Sequence, residues 1–290
     1  MHRFLLHNEE ILDAHQKSLT AGQVGFMNGW GVFSTLRVED GVLFAFERHW
    51  ERMKHDAARM HVPFPYDRDE VRGRLSRLIE ANSAWNATLR VAVVRNRGGL
   101  FEGPDLGRDF EVIAFTADIN AWGTSVRLAI KPHGRHAQNE FAGTKALSWA
   151  QNLTWYEEAH QSGFDEMILL NERGEVSECT SANLFIARGS EVFTPPLDSG
   201  CLPGVTRALL LEEIRVPGIS AAEKTLMPTD LEAADQVFIT STTRDFLPVS
   251  EIEGLKARNS GNVVTALTRA FEVYRAAYVQ RNAPLARQAR

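Results

Sequence analysis

Cysteine is nearly absent from this chain. Cys179 and Cys201 are the only two in 290 residues, so no disulfide framework is expected and a reducing compartment fits. Long apolar runs are missing as well. The first residues, MHRFLLHNEEILDAH, hold an unbroken apolar run of three, too short for the core of a signal peptide. Nowhere does a run approach the about 20 residues of a membrane span. A cytoplasmic protein with no membrane partner is expected. Basic excess is lacking too: 32 Lys and Arg stand against 37 Asp and Glu, so nothing points to nucleic acid. There is no internal repeat and no low-complexity tract.

What is present is an ordinary globular composition, 44% apolar and 24% charged, ample for one large domain or two medium ones. Residues 3–12 read as a short hairpin. Four glycines between positions 22 and 31 fit neither a Walker loop nor a dinucleotide fingerprint, and read as turns and close backbone packing. GVFSTLRV and VLFAF flank Glu39-Asp40-Gly41, a hairpin signal. A helix over 47–60 sets Trp50, Met53, Ala57 and Met60 on one face. On it, His49 and Arg52 form either a surface pair or an anion clamp. A second helix over 67–82 begins with acidic residues, as the helix dipole prefers. TLRVAVVRN and FEVIAFTADI are strands joined by a glycine-rich loop over 95–108. This order makes a small α+β domain over 1–118. The aperiodic stretch 119–126 reads as an interdomain linker, leaving 127–290 as a larger domain.

In the larger part, VRLAIKP is a strand. The pattern predicts a helix over 145–162 stopped by Gly163. EMILLN and VSECTSANLFIAR form a hairpin around 171–174, and EVFTPP is a further strand. Helices are predicted over 205–214 and 261–280, with the buried strand VFIT and the turn Ser241-Thr242-Thr243 between them. The basic stretch RLAIKPHGRH (127–136) is either a solvated loop or a surface that steers an anion. His133 and His136 have one metal-like spacing with no third ligand, so no metal is expected.

Four pieces carry chemistry. Lys145 precedes an apolar, aromatic run; a desolvated lysine is a nucleophile, although a lone lysine is more often a surface group. Glu178 lies among small and hydroxyl residues in SECTSANLF. A buried carboxylate there needs a cationic partner, either a pyridinium nitrogen or an arginine. Gly204-Val205-Thr206 puts backbone N–H groups and a hydroxyl at a helix start, a ready anion site. The hydroxyl turn at 241–243 is a second donor cluster.

In this order, the pieces resemble the class IV (fold-type IV) pyridoxal-phosphate enzymes, which include branched-chain aminotransferases, D-amino-acid aminotransferases and aminodeoxychorismate lyase. The resemblance runs from about residue 20 to 250. It rests on GVFSTLRVEDG, HWERM, KALSWAQN, EEAHQSGFDEMILLNERGEVSECTSANLF, TPPLDSGCLPGVTR and VFITSTTRDFLPV; the last four together are the specific ones. It implies pyridoxal 5'-phosphate as cofactor. Lys145 matches the Schiff-base lysine and Glu178 the carboxylate on the ring nitrogen. Arg52, Val205, Thr206 and Thr242 match phosphate ligands, and Leu202 matches the residue packed on the ring. Phe33 and Thr35 match substrate-pocket positions, with Arg90, Trp149 and Thr243 as further substrate candidates. The implied fold is α+β in two domains, a smaller N-terminal α/β sandwich and a larger C-terminal barrel-like domain with flanking helices. A homodimer is implied too.

The chain departs from its relatives at three places. Arg244 follows the threonines where relatives carry small or acidic residues, and either points away or changes carboxylate recognition. The 95–108 loop lacks the arginine and histidine that D-amino-acid aminotransferases use, and has Leu100 where the lyases tend to have arginine; Arg90 or Arg97 is the substitute. Trp149 lies near a position where some members place tyrosine. The expected activity is ping-pong transamination between an apolar amino acid and a 2-oxo acid. The alternative is release of pyruvate and 4-aminobenzoate from aminodeoxychorismate. A binding protein without activity is the third reading.

Overall fold

The computed structural model describes residues 1–16, 23–64, 67–99, 106–255, 257–258 and 260–283. The chain divides into two compact units. The first is Met1–Asn120 with Thr144–Trp149 and the described residues from Ala276; the second is Ala121–Gly143 with Ala150–Arg275. Among the described residues no helix is long and apolar enough to cross a membrane.

The first unit holds β1 (Phe4–His7), β2 (Glu10–Asp13), α1 (Val24–Asn28), β3 (Gly31–Glu39), β4 (Val42–Leu43), α2 (Phe46–Arg59), α3 (Arg68–Ala81), β5 (Ala87–Arg95) and β6 (Phe110–Ala117). Its antiparallel sheet runs β2-β1-β6-β5-β3-β4. Asp40 and Gly41 both take positive φ, 49° and 78°, as a two-residue hairpin loop demands, and Glu39 pairs with Val42. The second arm is shorter than the VLFAF pattern implies. Ala45 turns left-handed at φ 51° to start α2, which ends the strand at Leu43. Trp50, Met53 and Ala57 of α2 pack with Leu75 and Leu78 of α3 and with Leu36 and Leu89 of the sheet. Asp67 caps α3, its carboxylate accepting from the N–H groups of Asp69 and Glu70.

The second unit holds β7 (Val126–Lys131), α4 (Ala150–Gln161), β8 (Glu166–Leu170), β9 (Val176–Cys179), β10 (Asn183–Arg188), β11 (Glu191–Thr194), α5 (Val205–Glu212), β12 (Ser220–Glu223), α6 (Pro228–Ala233), β13 (Gln236–Ser241), β14 (Asp245–Ile252) and α7 (Val263–Asn282), whose last turns group with the first unit. The strand order is β12-β11-β10-β13-β14-β7-β8-β9. β9 and β10 lie five places apart in that order, yet only Thr180-Ser181-Ala182 joins them. Five strand spacings in a flat sheet would need about 24 Å, and three residues span roughly 10 Å. The sheet must therefore curl, and the barrel-like shape follows. Leu184 and Ile186 of β10 face the inside with Ile168, Val237 and Ile239. Phe185 takes the opposite face, stacked at 5.2 Å on Phe238, with Phe246 and Phe271 continuing the row.

Two expectations change. VSECTSANLFIAR is two strands, because the Cys179 N–H turns back to the Ala182 carbonyl. The helix expected over 145–162 starts at Ala150 and ends at Gln161, and Gly163 follows at φ 83°. Residues 145–147 pair instead with β3: the Phe33 N–H donates to the Lys145 carbonyl at 3.0 Å and the Leu147 N–H to the Gly31 carbonyl at 2.9 Å. β4 covers only the Val38–Glu39 end of β3, and an open strand edge satisfies its backbone groups with whatever chain reaches it. The pattern also missed α1, β12 and α6, all six residues or shorter.

The glycine reading is tested by two substitutions. A Cβ on Gly31 would lie 2.3 Å from the Val93 carbonyl oxygen, whereas one on Gly73 of α3 meets nothing within 4 Å. Gly31→Ala is expected to destabilise by about 1–3 kcal/mol. Gly73→Ala is expected to stabilise by about 0.5–1 kcal/mol. Urea unfolding measures both.

Candidate active site

In the first unit, the pleat puts Phe33 and Thr35 on one face of β3 and Ser34 on the other. Arg90 of β5 lies opposite Thr35. Ala146 bridges Val32, so Lys145 falls opposite Phe33 and shares its face. The Lys145 Nζ lies 4.6 Å from the centre of the Phe33 ring and 4.4 Å from that of Trp149. The two rings meet edge to face at 5.5 Å. The Arg90 guanidinium sits 4.2 Å from the Phe33 ring centre. The structure thus brings Lys145, Phe33, Thr35, Arg90 and Trp149 together.

Behind β3, α2 supplies a polar cluster to the face that Ser34 occupies. The Arg52 Nη2 donates to the Ser34 Oγ at 2.8 Å, and that hydroxyl contacts His49 Nδ1 at 2.8 Å. With its lone pair facing arginine, the hydroxyl donates its proton to Nδ1, so Nε2 carries the histidine N–H. Burial, with Arg52 and Lys145 beside it, holds His49 well below its ordinary pKa of 6.5. Burial also lowers Arg52 and Arg90. Asp56 accepts the Lys145 backbone N–H at 3.2 Å; burial raises its carboxyl, against the opposing pull of that N–H and of Arg52. Among the described residues, His49 Nε2, Arg52 Nε, Arg90 Nε and Asp56 Oδ1 are buried without a hydrogen-bond partner. Unpaired buried donors are rare and costly. Three of these four atoms are N–H groups, on two arginines and a neutral histidine, the donor set that receives an anion.

In the second unit, β9 presents Glu178, 5% exposed. Its Oε1 accepts from the Nε and Nη2 of Arg135, at 3.0 and 2.9 Å, and its Oε2 from the Leu202 N–H at 3.1 Å. Arg135 is steadied by Asn152, whose Nδ2 donates to the Thr180 carbonyl. A carboxylate has about four acceptor sites, so one on Oε2 remains for a further donor. Asn183 donates to the Leu202 carbonyl at 2.9 Å. A Cβ on Gly204 would strike the Asn183 side-chain oxygen, so this glycine is needed for the approach. Directly after it, Val205 and Thr206 open α5, and among the described residues no side chain caps their N–H groups.

Arg244 points away from the Thr242-Thr243 turn. Its Nη2 meets Glu166 at 3.2 Å, its Nη1 donates to the Ser181 Oγ at 2.9 Å, and its guanidinium stacks 3.8 Å from the Trp122 ring centre. Thr180 and Ser181 donate their hydroxyls to the same Glu166 carboxylate. The basic stretch 127–136 is absorbed likewise: Arg127 pairs with Asp165, Lys131 with Glu158 and Arg135 with Glu178. Leu100 and part of the 95–108 loop lie outside the described residues.

Sequence reasoning missed Arg135 and Asp56. Arg135 is 43 positions from Glu178 and meets it through the β7-β8-β9 order, for which no local signal exists. Asp56 was visible in principle, as an acid three residues after Met53 on the apolar stripe of α2.

The family described as amino-transferase class IV matches residues 31–252. The chain is 26% identical to a putative branched-chain-amino-acid aminotransferase of Methanocaldococcus jannaschii over 91% of this chain and 94% of the relative. It is 26% identical to a D-alanine aminotransferase of Bacillus licheniformis over 86% and 88%. Among solved structures, the branched-chain amino acid aminotransferase of Escherichia coli superposes with a TM-score of 0.87 at 24% identity, covering 95% of each chain.

The buried charges make two outcomes specific. Arg244→Met leaves Glu166, 0% exposed on its side chain, without its cation, and is expected to cost about 3–5 kcal/mol. Adding Glu166→Gln is expected to recover part of that loss; urea unfolding of the single and double variants measures both. His49 is neutral when folded, while the unfolded chain takes up its proton below about pH 6.5. Its contribution is therefore complete above that pH and is lost as the pH falls, by up to about 1.4 kcal/mol per pH unit. His49→Asn is expected to flatten this acid limb of the stability curve.

Proposed function

The chain belongs to the class IV aminotransferase family, and we propose that it moves an amino group between an apolar amino acid and a 2-oxo acid with pyridoxal 5'-phosphate. The observation that carries this reading is the aromatic-walled Lys145 amine beside unpartnered buried arginine N–H groups in the first unit. When bound, the cofactor supplies a carbonyl that bonds to an amine and a protonated ring that withdraws electrons.

The residues present fit that group. Arg52 and His49, with orphaned N–H groups, suit its phosphate, as do the uncapped Val205 and Thr206 N–H groups and the Thr242 hydroxyl. Lys145 is its covalent attachment point. The Lys145 Nζ would also carry a proton to and from the reacting carbon. Glu178 would offer the open acceptor site on Oε2 to the ring nitrogen, and Arg135 holds that carboxylate in place by direct pairing. Leu202 would pack on the ring. Phe33 and Trp149 exclude water around Nζ and favour an apolar substrate side chain. Arg90 receives the substrate carboxylate, flanked by Thr35, and Thr243 completes the substrate contacts. The expected homodimer fits the exposure of Phe26 and Met27 on α1.

The test uses purified protein with pyridoxal phosphate. Borohydride is expected to fix the cofactor on Lys145, and Lys145→Ala to abolish fixation and turnover. A panel of L- and D-amino acids and simple (R)-amines then reads the donor: bleaching by the true donor, reversed by a 2-oxo acid, marks transamination. Pyruvate released from aminodeoxychorismate without an acceptor would instead mark a lyase. Glu178→Gln is expected to lower kcat about 100- to 1000-fold, the scale of losing one preorganised electrostatic contact. Arg90→Leu is expected to raise KM for amino acids while leaving (R)-amines, which lack a carboxylate, unaffected. Equal effects on both would remove Arg90 from substrate recognition.

A further inference from the structure

We propose that Asp56 is the positioning residue for Lys145, and that one turn of α2 thereby fixes the lysine relative to Arg52. The inference rests on the reading of Lys145 as the cofactor-bearing amine. A lysine side chain has four rotatable bonds, so its amine is aimed only as well as its backbone is held. In a regular antiparallel pair, Phe33 and Lys145 would exchange both backbone hydrogen bonds. Here the exchange is split. The Phe33 N–H goes to the Lys145 carbonyl, and the Lys145 N–H leaves the sheet for Asp56 Oδ2 at 3.2 Å. The lysine residue is therefore held from two elements, through its carbonyl by β3 and through its N–H by α2.

Asp56 is 1% exposed, and its Oδ1 has no hydrogen-bond partner. A carboxyl group so placed is expensive to bury, which marks the Oδ2 contact as its structural purpose. Arg52 stands four residues earlier on α2, on the same side of the helix, and its Nη2 is tied to Ser34 of β3. Helix, strand and lysine segment thus form a closed frame. Within it, the spacing between an arginine suited to the phosphate and the attachment lysine is a property of one helical turn.

Hydrogen exchange on the cofactor-free protein reads the anchor directly. The Lys145 amide is expected to exchange at least about tenfold more slowly than the Ala146 amide, the scale of one hydrogen bond; equal rates overturn the proposal, with no variant needed. Asp56→Leu is expected to abolish that protection and to slow borohydride-trapped attachment of pyridoxal phosphate about tenfold. Its Kd for pyridoxamine phosphate, which forms no bond to lysine, should stay within about twofold, since Arg52 remains. Asp56→Asn keeps an acceptor oxygen and is expected to restore both rates. If Asp56→Asn behaves like Asp56→Leu, or Asp56→Leu leaves the Lys145 amide protected, the anchor is wrong. Absence of any cofactor attachment in the unaltered protein would overturn the functional reading instead, and the exchange result would remain.

Discussion

An open sheet edge decides where Lys145 sits. β4 pairs with two residues of β3 and leaves the Gly31–Phe33 end uncovered. Residues 145–147 fill that edge, and in doing so they forgo the helix their pattern favours. Backbone satisfaction outweighs propensity here, because an unpaired buried peptide group costs more than the few tenths of a kcal/mol, roughly, that separate helix formers. Gly31 belongs to the same solution. With a side chain there, the Val93 carbonyl and the Leu147 side chain could not approach. From this edge follow the aromatic walls around Nζ and the contact with Asp56.

The two units treat their buried charges differently. In the second, Glu166 is matched by Arg244, and Glu178 by Arg135, each with supporting hydroxyl, amide or backbone donors. Such pairs define a framework, since breaking one leaves a bare charge in a low dielectric. In both units buried arginines keep an unpartnered Nε, but Arg188, Arg207, Arg244 and Arg275 of the second each pair with a carboxylate, whereas Arg52 and Arg90 of the first have none at ion-pair distance among the described residues. A buried cation with an unspent donor and no carboxylate of its own is poised for an anion from outside the chain. The contrast explains why Arg244, the most conspicuous departure from the relatives' pattern, is architectural, and why Arg90 is the arginine proposed to meet substrate.

Much of the fold was legible. Asp40-Gly41 announced its hairpin, because few residue pairs accept two positive φ values. The stripe of Trp50, Met53 and Ala57 announced α2, and Asp67 with its acidic neighbours announced the start of α3. These signals are local: each depends on residues within one or two turns. VSECTSANLFIAR was read as one strand because no glycine or proline interrupts it. The break comes from the turn back to Ala182 and from Glu166, fourteen positions away, which takes the hydroxyls of Thr180 and Ser181.

By itself the sequence determined the family, the α+β class and the residue types that suit the cofactor, since these rest on the order of short motifs that survive without coordinates. Only the tertiary structure decided what each charged group faces. It turned Arg244 onto Glu166, gave Glu178 an arginine, left Arg52 and Arg90 with unpaired donors, and hung Lys145 from Asp56 on a strand edge. The reason is range. Helix and turn signals are written within a few residues, whereas the partner of a buried charge is chosen by strand order and packing that bring together positions 14 to 89 residues apart.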